Sequence, residues 1–143
     1  MKKVKLLLKE ENIEYSKDKI NNAIDVIEFL NKVENANLLP QESAFILCMN
    51  IKNEVVSYSE IARGGVNSCN IDLKTIFKTV LLSNASKFIM VHNHPSGDPT
   101  PSKQDIKLTE TIINASKIMD IEFLDHLVIG GNRFASCMQE RSE

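Results

Sequence analysis

The chain has no C-x-x-C pair: its three cysteines, Cys48, Cys69 and Cys137, are an odd number and far apart. A disulfide framework and a thiolate zinc finger are therefore not expected, and a reducing cytoplasm is the simplest home. It has no excess of one charge. Seventeen basic against nineteen acidic residues give −2 at neutral pH, with an isoelectric point near 5.9. With no basic half or stripe, direct nucleic-acid binding is not expected. It has no long apolar run either, and nothing approaches the ~20 residues that span a bilayer. The stretch Val4 to Leu8 is broken by Lys5 and is too short for a secretory signal. Internal repeats and low-complexity segments are absent as well. What remains is an ordinary globular composition, 43% hydrophobic and 25% charged over 143 residues. That is one domain with room for a sizeable core.

Residues 1–19 are polar and lysine-rich after one candidate strand at 3–8, and read as an N-terminal arm ahead of a domain at 20–143. Ala23, Val26, Ile27 and Leu30 recur at helical spacing between Ile20 and Val33. Ala44 to Met49 and Glu54 to Ile61 read as a hairpin across the turn residues Asn50 to Asn53. Asp72 can cap a helix to about Leu82. A short buried strand at Lys87 to Val91 precedes a proline-rich loop. Ser102 can cap a helix to about Met119, and strands at 121–129 and 133–136 flank the turn Gly130-Gly131-Asn132. This order predicts an α/β (α+β) domain with one mixed sheet flanked by helices.

The informative stretch is HNHPSGDPTPSKQD, from His92 to Asp105. Residues two apart on a strand share a face, so His92 and His94 can present both imidazoles to one point. The loop reverses the chain and sets Asp105 in the first turn of the next helix. Two imidazoles and a carboxylate are a ligand set of catalytic zinc sites, which keep a fourth position for water. Other readings exist. Two strand histidines are often merely exposed or hydrogen-bonded, and Ser102-x-x-Asp105 is also a capping-box pattern. Capping and ligation are compatible, because a cap would hold the helix end where a metal needs it.

That stretch matches the JAMM metal motif, H-x-H, seven residues, then S-x-x-D. It resembles the RadC-like branch of the JAB/MPN superfamily, and Leu124-Asp125-His126-Leu127-Val128-Ile129-Gly130 extends the resemblance, which covers roughly residues 20–138. The resemblance implies a curved mixed sheet between helices, of cytidine-deaminase-like architecture. It implies Zn²⁺ held by His92, His94 and Asp105, a glutamate general acid/base matched to Glu60, and Ser102 stabilising an oxyanion. Glu54, at the hairpin turn, is the less suitable glutamate. The implied activity is hydrolysis of an amide, peptide or isopeptide bond in a peptide or protein substrate. The alternatives are a DNA-repair-associated, nuclease-like role, as the family label has it, or a non-catalytic zinc-holding interaction module.

Asp125-His126 reads as a structural hydrogen-bond unit at the end of a buried strand, or as a pair that orients a ligand imidazole. Cys69 reads as a small half-buried residue; a reactive thiolate would need a basic or helix-end neighbour. Two departures stand out. Long RadC proteins resemble this chain but carry a helix-hairpin-helix module, which is not expected within these 143 residues, and VNSCNIDL lacks an H-P-R-E-like helix start. Whether the chain is a monomer or a homodimer is not legible in the sequence.

Overall fold

The structure, a computed structural model, describes residues 1–4, 19–64 and 71–140. Helix α1 (Ala23–Glu34) leads through a 3-10 turn (Ala36–Leu38) into strands β1 (Ser43–Met49) and β2 (Val55–Arg63). Then come α2 (Leu73–Leu82), β3 (Lys87–Asn93), α3 (Lys103–Met119), β4 (Glu122–Gly130), β5 (Arg133–Ser136) and α4 (Cys137–Glu140). The five strands form one mixed sheet in the order β2-β1-β3-β4-β5. Only β3 and β4 are parallel, joined across the sheet face by α3. The α/β expectation, a mixed sheet flanked by helices, holds.

Local chemistry explains the helices. Asn22, Asp72 and Ser102 each cap one with a side-chain oxygen that accepts a backbone N–H. At α3 the cap is a reciprocal box, because the Asp105 carboxylate also accepts from the Ser102 N–H. The chain leaves α1 and α3 through Asn35 and Asp120, both left-handed (φ 51° and 57°), a conformation these short polar side chains tolerate.

The sheet separates two apolar layers. Phe45, Leu47, Met49, Ile89, Val91, Leu127 and Ile129 pack against α1. Ala44, Ile46, Cys48, Phe88 and Met90 face α2 and α3, meeting Ile76, Val80 and Ile112. The strands alternate strictly between these layers, with informative interruptions. In β4 the register slips, so that Phe88 pairs with Phe123 but Ile89 pairs with Asp125. The extra residue, Leu124, packs into the α1 layer. This bulge re-aims the remainder of the strand, and His126 joins Met90 and His92 on the α3 side.

The expected strand at 3–8 and Cys69 lie wholly or largely outside the described residues. No helix among the described residues is long and apolar enough to cross a membrane.

Candidate metal centre

Strand β3 runs two residues beyond the predicted Val91, because His92 pairs with Ala44 on one side and Val128 on the other. His92 is therefore a central-strand residue, 1% exposed. His94 follows just past the strand, its N–H donating to Ile129 O at 2.8 Å. The chain reverses through Pro95 to Pro101 and enters α3, whose capping box sets Asp105 in the first turn. The positive end of the helix favours the Asp105 carboxylate there.

The two imidazoles meet nitrogen to nitrogen, with His92 Nε2 and His94 Nε2 3.0 Å apart. Asp105 offers one oxygen to each ring, Oδ1 at 3.4 Å from His92 Nε2 and Oδ2 at 3.3 Å from His94 Nε2. Glu42 completes the group, Oε1 lying 3.6 Å from His92 Nε2. One ligand atom from each of the four lies within 4.8 Å of all the others. Donors bound to zinc at 2.0–2.1 Å in a tetrahedron stand ~3.3 Å apart, so the spacing fits a shared divalent cation. The donor chemistry fits equally: borderline imidazole nitrogens and hard carboxylate oxygens suit zinc and its neighbours.

Burial pushes the Asp105 carboxyl up, but the neighbouring His92 and His94 imidazoles outweigh it and hold the group well below the usual carboxylate range. The hydrogen bond to Asp105 raises His94, against the opposing effect of burial. Its Nδ1 lies 2.9 Å from Asp98 O, a carbonyl that can only accept, so Nδ1 carries the proton and Nε2 is turned to the cluster.

The structure brings His92, His94 and Asp105 together and sets Ser102 beside them as the cap of α3, its Oγ 3.1 Å from Asp105 N. It does not bring Glu60. Glu60 pairs with Phe45, which packs towards α1, whereas His92 pairs with Ala44 on the α2 and α3 side. Residues directly opposite on paired strands share a face, so Glu60 belongs to the other side of the sheet. Its carboxylate is instead taken by Arg63, at 2.6 and 2.9 Å.

Glu42 is the carboxylate that sequence reasoning passed over. It stands immediately before the wholly buried β1, and the antiparallel pairing of β1 with β3 lays the start of one beside the end of the other. Asn93 fixes that start from the opposite face. Its Oδ1 accepts from Ser43 N at 2.8 Å, and its Nδ2 donates to Gln41 O at 3.0 Å.

Asp125 and His126 part company. The Asp125 carboxylate accepts from Ser136 Oγ at 2.8 and 2.7 Å and from the His126 backbone N–H at 2.7 Å, a structural role. The His126 ring stands behind a cluster imidazole, its Nε2 2.7 Å from His92 Nδ1.

Comparison with known proteins decides the family, for residues 20–142 match the RadC-like JAB domain. The chain belongs to that family. A UPF0758 protein of Clostridium perfringens is 39% identical over 127 residues, 89% of this chain and 55% of the relative. Those of Desulforamulus reducens and Roseiflexus castenholzii are 42% identical over 104 residues and 44% over 103, covering 73% and 72% of this chain. The shares of these two relatives covered are 46% and 44%, so the RadC-like chain spans about half the length of the curated relatives it matches.

Proposed function

We propose that this RadC-like domain is a zinc-dependent hydrolase of the JAMM type, cleaving an amide, peptide or isopeptide bond. The observation that carries the reading is the convergence of Glu42, His92, His94 and Asp105 at the carboxyl end of β3. His92, His94 and Asp105 would hold the ion. When bound, zinc lowers the pKa of its water towards ~7 and polarises a carbonyl.

The chain's own groups do the rest. Glu42, 8% exposed, is the general acid/base in place of Glu60. It takes a proton from the attacking water and passes it to the leaving nitrogen, a contribution of typically ~10²–10⁴-fold. Ser102 Oγ accepts from Asp105 N, which leaves its own O–H free to donate to the oxyanion.

The test is metal analysis of the purified protein together with turnover on a panel of peptide and isopeptide substrates. His92→Ala and Asp105→Ala should lose the metal. Glu42→Gln should keep it and lose turnover by ~10²–10⁴-fold, whereas Glu60→Gln should match wild type. A Glu42→Gln protein as active as wild type would remove the assignment. A metal-loaded wild type that cleaves nothing on the panel would leave the non-catalytic zinc module as the better reading.

A further inference from the structure

The two histidines of the cluster are backed differently. His94 Nδ1 faces a carbonyl, Asp98 O, so the ring has only one neutral form that satisfies it. His92 Nδ1 faces another imidazole, His126 Nε2, at 2.7 Å, and an imidazole nitrogen can donate or accept. Something further back must decide which.

His126 is completely buried, and its Nδ1 is 2.7 Å from Thr109 Oγ1 on α3. Thr109, also completely buried, donates its hydroxyl proton to Asp105 O at 2.8 Å. A hydroxyl has one proton, and the Cys137 thiol also borders this one; spent on the carbonyl, that proton leaves Thr109 Oγ1 to accept from His126 Nδ1–H. His126 Nε2 is left with a lone pair and accepts from His92 Nδ1–H, so His92 Nε2 turns its own lone pair to the cluster. Run the other way, the same contacts would put a proton on His92 Nε2, 3.0 Å from His94 Nε2. The chain of bonds starts on the ring of one cluster residue and ends on the main chain of another.

We propose that Thr109 and His126 are positioning residues that fix the tautomer and orientation of His92, leaving its Nε2 ready for a divalent cation. The proposal rests on reading the cluster as a metal centre. The β4 bulge and the first two turns of α3 thereby become parts of the site, although neither carries a ligand beyond Asp105.

The experiment uses metal-free protein with ¹⁵N-labelled histidine at about pH 8, above the ordinary imidazole range. Long-range ¹H–¹⁵N spectra should show His92 as the Nδ1–H form in wild type and in Thr109→Ser. In Thr109→Val, which keeps the shape and loses the hydroxyl, they should show a mixture or the Nε2–H form. Zn²⁺ or Co²⁺ titration should then find Thr109→Val weaker by roughly 10–100-fold, as for other supporting contacts to ligand histidines, with Thr109→Ser close to wild type. Wild-type His92 found as Nε2–H would overturn the proposal without any variant. So would a Thr109→Val protein with unchanged tautomer and affinity, or equal losses in Val and Ser variants, which would indicate packing alone. Failure of wild type to bind either ion would refute the metal-centre reading, while the spectra would still decide the tautomer.

Discussion

Asn93, between the two histidines, shows how much one side chain can settle. Strand alternation turns it away from the cluster, and there it is 3% exposed, with every described side-chain hydrogen bond going to the segment that carries Glu42. The middle letter of H-N-H thus holds the carboxylate while the outer two hold the rings' side of the site. Asn93→Ala would leave Ser43 N and Gln41 O without their partner, a loss of about 1–3 kcal/mol. The specific expectation is a split between two readouts. Zinc affinity should change little, since all three histidine and aspartate donors stay, but turnover should fall with the wandering of Glu42. Parallel loss of metal and turnover in Asn93→Ala would mean that Asn93 supports the whole centre and not Glu42 in particular.

At the scale of elements, the loop between β3 and α3 is seated on the β4–β5 turn by a close approach. A Cβ on Gly130 would lie 2.5 Å from Pro99 N, 2.7 Å from Gly97 O and 2.8 Å from the Asp98 carbonyl carbon. These are backbone atoms, which cannot swing aside, and Asp98 O is the acceptor that orients His94. Gly130→Ala should therefore lower the melting midpoint by an overpacking cost of about 1–3 kcal/mol and weaken zinc binding as well. Unchanged zinc affinity would show that the loop can shift without moving His94. A second tie joins β2 to α1. Tyr58 stacks edge-on with Phe29, and its hydroxyl donates to Glu34 Oε1 at 2.9 Å. Burial first, then that acceptor, push the phenol up to about 12 from an ordinary 10.0. An ultraviolet titration should show one of the two tyrosines ionising late, and Tyr58→Phe should abolish that step. The elements themselves were legible, because caps such as Asp72 and Ser102 and the apolar runs are local signals. Glu42 was not, and for His126 only the two open readings were, a structural unit or a support to a ligand imidazole. Their positions depend on the antiparallel register of β1 with β3 and on the single-residue bulge at Leu124, and neither leaves a mark in the local pattern. The same is true of Glu60, whose place on the wrong face comes from its pairing with Phe45. The short helix α4 and the turn at 36–38 went unseen because each is too brief for periodicity to show.

For the molecule as a whole, the cluster makes the stability of the metal-free protein depend on pH in a way that can be signed. Burial, reinforced by the neighbouring His92, lowers His126 from 6.5 to about 3, so the folded state keeps this ring neutral in acid. Unfolded chains take up that proton at the ordinary histidine pKa. Between the two values the unfolded state binds more protons, so stability rises with pH there and is lost as the solution is acidified. Asp105 acts in the same direction lower down, its contribution being present above 3.8 and lost as pH falls towards its depressed folded value. His94 has the opposite sign. Its folded pKa is raised by Asp105, so its contribution is complete below 6.5 and disappears as pH climbs through the folded value. His126 and Asp105 thus take stability away on the acid side and His94 on the alkaline side. Thermal melts of chelator-treated protein across that range should trace this shape. Adding zinc should raise the midpoint most near and above neutral pH, since a bound cation must displace the proton that His94 shares with Asp105. A midpoint that stays flat as pH falls from 6.5 would contradict the buried neutral His126, and with it the account of how the sheet and α3 are held together behind the site.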